Sequence, residues 1–138
     1  MLSMADKAMS PVDHYKILIA DDETSLRLLV RATLENDECQ VFEARDGHEA
    51  LRLAREVQPN LIFLDVVMPG LTGYEVCRAL RQDADTHRVV VVMLTGQSEP
   101  TDRQQGFTAG ADHYLIKPFS PLELLQITER VFSRQMRA

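Results

Sequence analysis

Cysteine is scarce: only Cys39 and Cys77 occur, far apart and without the spacing of a metal site or a disulfide framework. A reduced, cytosolic protein is expected. Basic charge is also short, with 15 Lys and Arg against 21 Asp and Glu and a formal net charge of −6. That sign is wrong for a chain that grips nucleic acid by its phosphates, so direct DNA binding is not expected. No apolar run approaches the ~18 residues of a membrane span. The polar, Met-rich start from Met1 to Asp13 lacks the apolar stretch of a secretory leader. Linkers rich in Pro or Ser, internal repeats and low-complexity blocks are missing as well, which leaves no seam at which to divide the chain.

What is present suits one water-soluble domain: 138 residues, 45% hydrophobic and 26% charged. Residues 1–13 are expected to form a flexible tail and residues 14–138 the domain. From Lys16 onward, apolar runs alternate with segments of helical period, the pattern of repeated β-α units around a parallel sheet. Lys16 to Ala20 reads as the first strand, followed by Leu26, Leu29, Val30 and Leu34 at helical spacing. Gln40 to Arg45 reads as the second, and Asp46-Gly47 turns into a helix carrying Ala50, Leu51, Leu53, Ala54 and Val57 that stops at Pro59. Leu61 to Leu64 is continuously apolar, as a strand buried on both faces should be, and ends at Asp65. A Pro- and Gly-bearing loop, Met68 to Gly73, leads to a helix with Val76, Cys77 and Leu80. Val89 to Leu94 is dense in β-branched residues, and the following Pro100 to Thr108 has few apolar anchors, so that helix should be weakly held. His113 to Ile116 and a last helix after Pro121 complete five pairs.

Open parallel sheets bind ligands beyond the carboxyl ends of their strands, because all strands point the same way. Four of the five strand ends here carry functional groups: Asp21 and Asp22, then Asp65, then Thr95, then Lys117. If the first and third strands are neighbours at about 4.8 Å, the three carboxylates crowd together. Two such charges about 4 Å apart repel by roughly 4 kcal/mol at an effective dielectric near 20, so the cluster calls for a cation or protons. With oxygen donors and no Cys or His nearby, Mg²⁺ suits it and zinc does not. Phosphoryl transfer to a carboxylate needs placement of the acceptor and neutralisation of the phosphoryl oxygens, tasks within the reach of a metal, Lys117 and Thr95.

The set Asp21-Asp22, Leu64-Asp65 with Met68-Pro69-Gly70 and Gly73, Leu94-Thr95, Gly110-Ala111-Asp112 and Lys117-Pro118-Phe119 resembles the receiver domains of two-component response regulators, over Lys16 to about Arg134. Each piece is common alone; their order at successive strand ends is specific. The resemblance implies a flavodoxin-like doubly wound α/β fold, a five-stranded parallel sheet of order 2-1-3-4-5 with helices on both faces. It implies Asp65 as phosphoacceptor, with Mg²⁺ held by Asp21, Asp22, Asp65 and the Val67 backbone carbonyl. Thr95 and Lys117 would contact the phosphoryl group, Tyr114 would turn inward behind it, and the bond before Pro118 would be cis. A sensor histidine kinase or His-phosphotransfer protein would be the donor. The surface of helix four, strand five and helix five would address a downstream effector. Val67 and Gln97 stand where relatives tune the attack of water on the phosphoaspartate. Val67 offers that water no hydrogen bond, which implies a persistent phosphoryl state. His113 and Leu122 replace charges that pair many such domains, so a monomer or weak dimer is expected. The protein would act as a switch and not as an enzyme, catalysing only its own phosphorylation and slow dephosphorylation.

Two other readings compete. An Mg²⁺-dependent phosphohydrolase with an aspartyl nucleophile uses similar groups, but its usual second acid, two residues past the nucleophile, is Val67 here. A receiver-like module that signals without phosphate typically lacks an acidic or lysine position, and all five are present. Asp21 and Asp22 would also suit the cap of the first helix.

Overall fold

The computed structural model describes residues 15–96 and 100–137. The tail expected at residues 1–13 and the position of Gln97 lie outside the described residues. Five strands, β1 (Tyr15–Ala20), β2 (Cys39–Ala44), β3 (Leu61–Asp65), β4 (Val90–Thr95) and β5 (His113–Ile116), alternate with five helices. The helices are α1 (Thr24–Leu34), α2 (Gly47–Val57), α3 (Gly73–Gln82), α4 (Pro100–Ala109) and α5 (Pro121–Arg137).

Among the described residues all strand pairings within the sheet are parallel and the order is β2-β1-β3-β4-β5, the flavodoxin-like arrangement the resemblance implied. Every residue of β3 is buried because neighbours flank it on both sides and helices cover both faces, which is why its sequence is continuously apolar. Alternation divides the core into two layers. Leu18, Ile62, Leu64 and Met93 pack toward α2, α3 and α4 with Ala50, Val76, Cys77 and Ala109. Ile17, Ile19, Phe63 and Leu94 pack toward α1 and α5 with Val30, Leu124 and Ile127. Both cysteines are free and buried, and burial pushes each thiol up to about 11.

Local signals set the helix ends. Asp46 caps α2 by accepting the Glu49 N–H at 2.8 Å. Thr72 and Glu75 form a reciprocal box at α3, with Glu75 N–H donated to Thr72 Oγ1 at 3.2 Å and Thr72 N–H to Glu75 Oε1 at 2.8 Å. Ser120 and Glu123 repeat the device at α5. Gln58 ends α2 in the left-handed region at φ 52°, just ahead of Pro59. Three strands differ by one residue from the sequence reading: β2 runs from Cys39 to Ala44, β4 runs from Val90 to Thr95, and β1 starts at Tyr15. Register explains the first shift, since Cys39 pairs with Tyr15 and Ala44 with Ala20. As its composition implied, α4 is sparsely anchored: among its described side chains only Gly106 and Ala109 are buried.

Candidate metal and acceptor site

The register of β1 and β3 sets Ala20 against Leu64, so the next residues, Asp21 and Asp65, emerge side by side at the carboxyl rim. Asp21 is fully buried and Asp65 is 6% exposed, whereas Asp22 reaches solvent. One carboxylate oxygen from each of the three lies within 4.8 Å of the others. Lys117, delivered by β5 from three strands away, places Nζ 2.8 Å from Asp21 Oδ2 and 3.4 Å from Asp65 Oδ1. Its own N–H donates to Thr95 O at 2.7 Å, which ties the Lys117 turn to the end of β4. The Lys117–Pro118 peptide is cis.

Neither aspartate caps α1. That position belongs to Glu23, whose side chain makes no capping bond; Asp21 Oδ1 instead accepts the Glu23 N–H at 2.9 Å. Asp65 Oδ1 takes a long bond, 3.4 Å, from the Val67 N–H, and the Val67 side chain is 77% exposed. Gly73 opens α3 hard against the acceptor loop: its N–H donates to Val66 O at 2.9 Å, and a Cβ there would run into the Asp65 carbonyl oxygen. Glycine is the residue that lets a helix begin at this spot. Thr95 is buried at the end of β4, one residue beyond the pairing of Leu94 with Asp65. Tyr114, on β5, packs against α4. Its ring is tilted against Phe107 at 5.3 Å, and its hydroxyl occupies the space a side chain on Gly106 would need.

The electrostatics are unbalanced. Burial raises the Asp65 pKa to about 6, the Asp21 charge adds to the rise, and Lys117 with the Val67 N–H only partly opposes it. Burial pulls Lys117 down, but its hydrogen bond to Asp21 and the nearby Asp65 charge outweigh that and leave it raised. Three carboxylates against one ammonium leave an anionic excess in an all-oxygen pocket, a donor set suited to a hard divalent cation. Sequence reading missed Arg27. It is buried on α1, and its guanidinium donates to the Asp21 carbonyl at 2.8 Å. Arg27, Val30 and Leu34 form the buried stripe of that helix, whereas Leu26 and Leu29, apolar at helical spacing, are only half-buried.

A flavodoxin-like sheet with a metal-competent acidic pocket at its carboxyl rim defines the class of protein. Within that class, the chain belongs to the response regulator receiver domain family, whose profile matches residues 17–129. It is 43% identical over 117 residues to the transcriptional regulatory protein ResD of Bacillus subtilis, covering 85% of this chain and 48% of that protein. The probable transcriptional regulator ycf27 of Porphyridium aerugineum is 46% identical over 109 residues, 79% of this chain and 44% of its own length. The solved chemotaxis protein CheY4 of Vibrio cholerae superposes with a TM-score of 0.81 at 37% identity, covering 86% of this chain and 98% of its own. The chain is thus a receiver domain of the two-component response-regulator type, and it spans about half the length of the curated relatives it matches. No helix among the described residues is long and apolar enough to cross a membrane.

Proposed function

We propose that this domain accepts a phosphoryl group on Asp65 from the phosphohistidine of a sensor kinase or His-phosphotransfer protein. Asp21, Asp22, Asp65 and the Val67 carbonyl would hold Mg²⁺, which neutralises the acid cluster and the phosphoryl oxygens when bound. The observation that carries this reading is the convergence of three carboxylates, within 4.8 Å, on the Lys117 ammonium. An Asp65 carboxylate oxygen forms the new O–P bond as the donor N–P bond breaks, and the electron pair stays on the imidazole nitrogen, which takes up a proton. Lys117 then pairs with a phosphoryl oxygen, relieving its contact with Asp65. Thr95 donates its hydroxyl from the end of β4.

The added charge biases the α4–β5–α5 surface through Thr95 and Tyr114, and an effector or output domain reads that surface. The receiver domain is assigned to residues 14–138. The chain works as a switch in the cytoplasm, without turnover of an outside substrate. Its exposed Val67 cannot orient an attacking water, which favours a long-lived phosphoryl state.

The test is acetyl phosphate or beryllofluoride with Mg²⁺, read by intact mass and backbone NMR on wild type and Asp65→Asn. Wild type should gain one phosphoryl group, lose it slowly and show Mg²⁺-dependent shifts around Thr95 and β5, while Asp65→Asn gains none. An unmodified wild type, or equal labelling of Asp65→Asn, would overturn the assignment.

A further inference from the structure

Arg27 is the one cation buried among the described residues, 7% exposed. Taking a guanidinium out of water is costly unless its donors find acceptors. Here Nη1 donates to the Asp21 backbone carbonyl at 2.8 Å, Nη2 to Thr24 Oγ1 at 3.2 Å and Nε to Glu43 Oε1 at 3.0 Å. Glu43, on β2, is itself held by Arg31 Nε at 2.8 Å. The guanidinium is therefore braced between α1 and β2, with one arm on the peptide that joins Asp21 to Asp22. On the other side of Asp21, its N–H donates to Ala44 O at 3.1 Å. Both peptide planes around Asp21 are fixed, and the second of them aims Asp22. The exposed Asp22 depends on the backbone it grows from.

We infer that Arg27 is a positioning residue for the metal site, acting through the Asp21–Asp22 peptide to hold the two aspartates in the attitude that binds a divalent cation. The inference rests on the reading of that pocket as an Mg²⁺ site. Its sign separates it from two blander roles. A positive charge opposes a second cation, so electrostatics alone make Mg²⁺ bind more tightly once Arg27 is gone. A purely structural role lowers the stability of the fold and leaves the affinity of the folded protein unchanged. Positioning alone makes binding weaker, and partners that orient metal ligands typically account for about 10–100-fold in affinity.

The experiment titrates Mg²⁺ into the full chain by calorimetry or NMR, with thermal melts alongside, for wild type, Arg27→Met, Arg27→Lys and Glu43→Gln. Arg27→Met should bind Mg²⁺ at least about tenfold more weakly. Glu43→Gln loses charge on the brace but keeps the guanidinium on the carbonyl, and it should stay close to wild type. Folded Arg27→Met with unchanged or tighter affinity would overturn the inference. Should Arg27→Met not fold, Arg27→Lys decides, because one ammonium cannot reproduce the fork that spans Asp21, Thr24 and Glu43. A severalfold loss supports positioning, and wild-type affinity overturns it. A wild type that binds no Mg²⁺ would instead remove the metal reading itself.

Discussion

Where β4 and β5 begin, Arg81 turns all five N–H groups of its guanidinium on fixed oxygens. Gly110 O accepts twice, at 2.9 and 2.6 Å, and His87 O, Val89 O and Asp112 Oδ2 take the rest. Asp112 also accepts the Val91 N–H at 2.8 Å, so the connections ahead of both strands are locked together. At the opposite rim, three carboxylates face one lysine and burial opposes the ionisation of Asp65. The protein alone satisfies the charges of the first cluster, which hold the fold in shape. The second is left with an anionic excess that a bound cation would offset.

Breaking each rim in turn should expose that difference, with the larger effect at the acidic one. Lys117→Met leaves the fully buried Asp21 carboxylate without its ammonium. The expected loss in EDTA is about 3 kcal/mol, the low end for a broken buried pair because Lys117 is partly exposed. Mg²⁺ stabilises any folded chain that binds it, and the increment should exceed that of wild type here because the cation replaces a missing charge. Arg81→Ala should lose about 2 kcal/mol, with a Mg²⁺ increment equal to that of wild type. Urea denaturation of both variants with EDTA and with Mg²⁺ measures this. Equal increments in the two variants would erase the contrast between the rims.

A smaller effect sharpens the contrast by pH. The Asp65 pKa is raised in the folded state to about 6, so the native protein holds that proton more firmly than the unfolded chain does. Stability from protonated Asp65 is fully present below the unfolded carboxyl value near 4 and is lost as pH rises through about 6. Removing the ionisation should therefore help at neutral pH: in EDTA, Asp65→Asn is expected to be more stable than wild type by about 2 kcal/mol at pH 7.5. The gap should close as pH falls toward 4. Denaturation midpoints across that range test it, and a gap that is constant or widens toward acid would reverse the sign assigned to Asp65.

The acidic rim was largely legible in the sequence and the Arg81 rim was not, for a physical reason. A parallel strand buried on both faces must be apolar throughout, so Leu61 to Leu64 announced itself, and a polar residue ending such a run stands out. Asp21, Asp65, Thr95 and Lys117 were found that way. Which strands are neighbours depends on how helices cover the two faces, a long-range matter, and the order came from family resemblance. Arg27 and Arg81 drew no reading from the sequence because most of their acceptors are carbonyls and side chains from 6 to 31 residues away, beyond the reach of a short window. The one-residue shift of β2 has the same origin, since pairing with β1 and not composition decides where a strand starts.

Between the two rims runs β5, from the Asp112 lock to the Lys117 turn, and the smallest expected effect lies along it. The hydroxyl of Tyr114 fills the space beside Gly106 that a Cβ would occupy, with Phe107 against its ring. Gly106→Ala must expel the phenol from that slot. Stability should change by less than about 1 kcal/mol, because the helix propensity gained by alanine offsets packing lost by the ring. Mg²⁺ affinity should hold, since Gly106 lies on α4 and not among the residues of the acidic pocket. The aromatic resonances of Tyr114 and Phe107 should move in NMR spectra of the unphosphorylated protein, and the β5 shifts that follow beryllofluoride should shrink. If the two rings keep their wild-type resonances in Gly106→Ala, α4 has yielded instead of Tyr114, and the middle of β5 is coupled to neither rim through this slot.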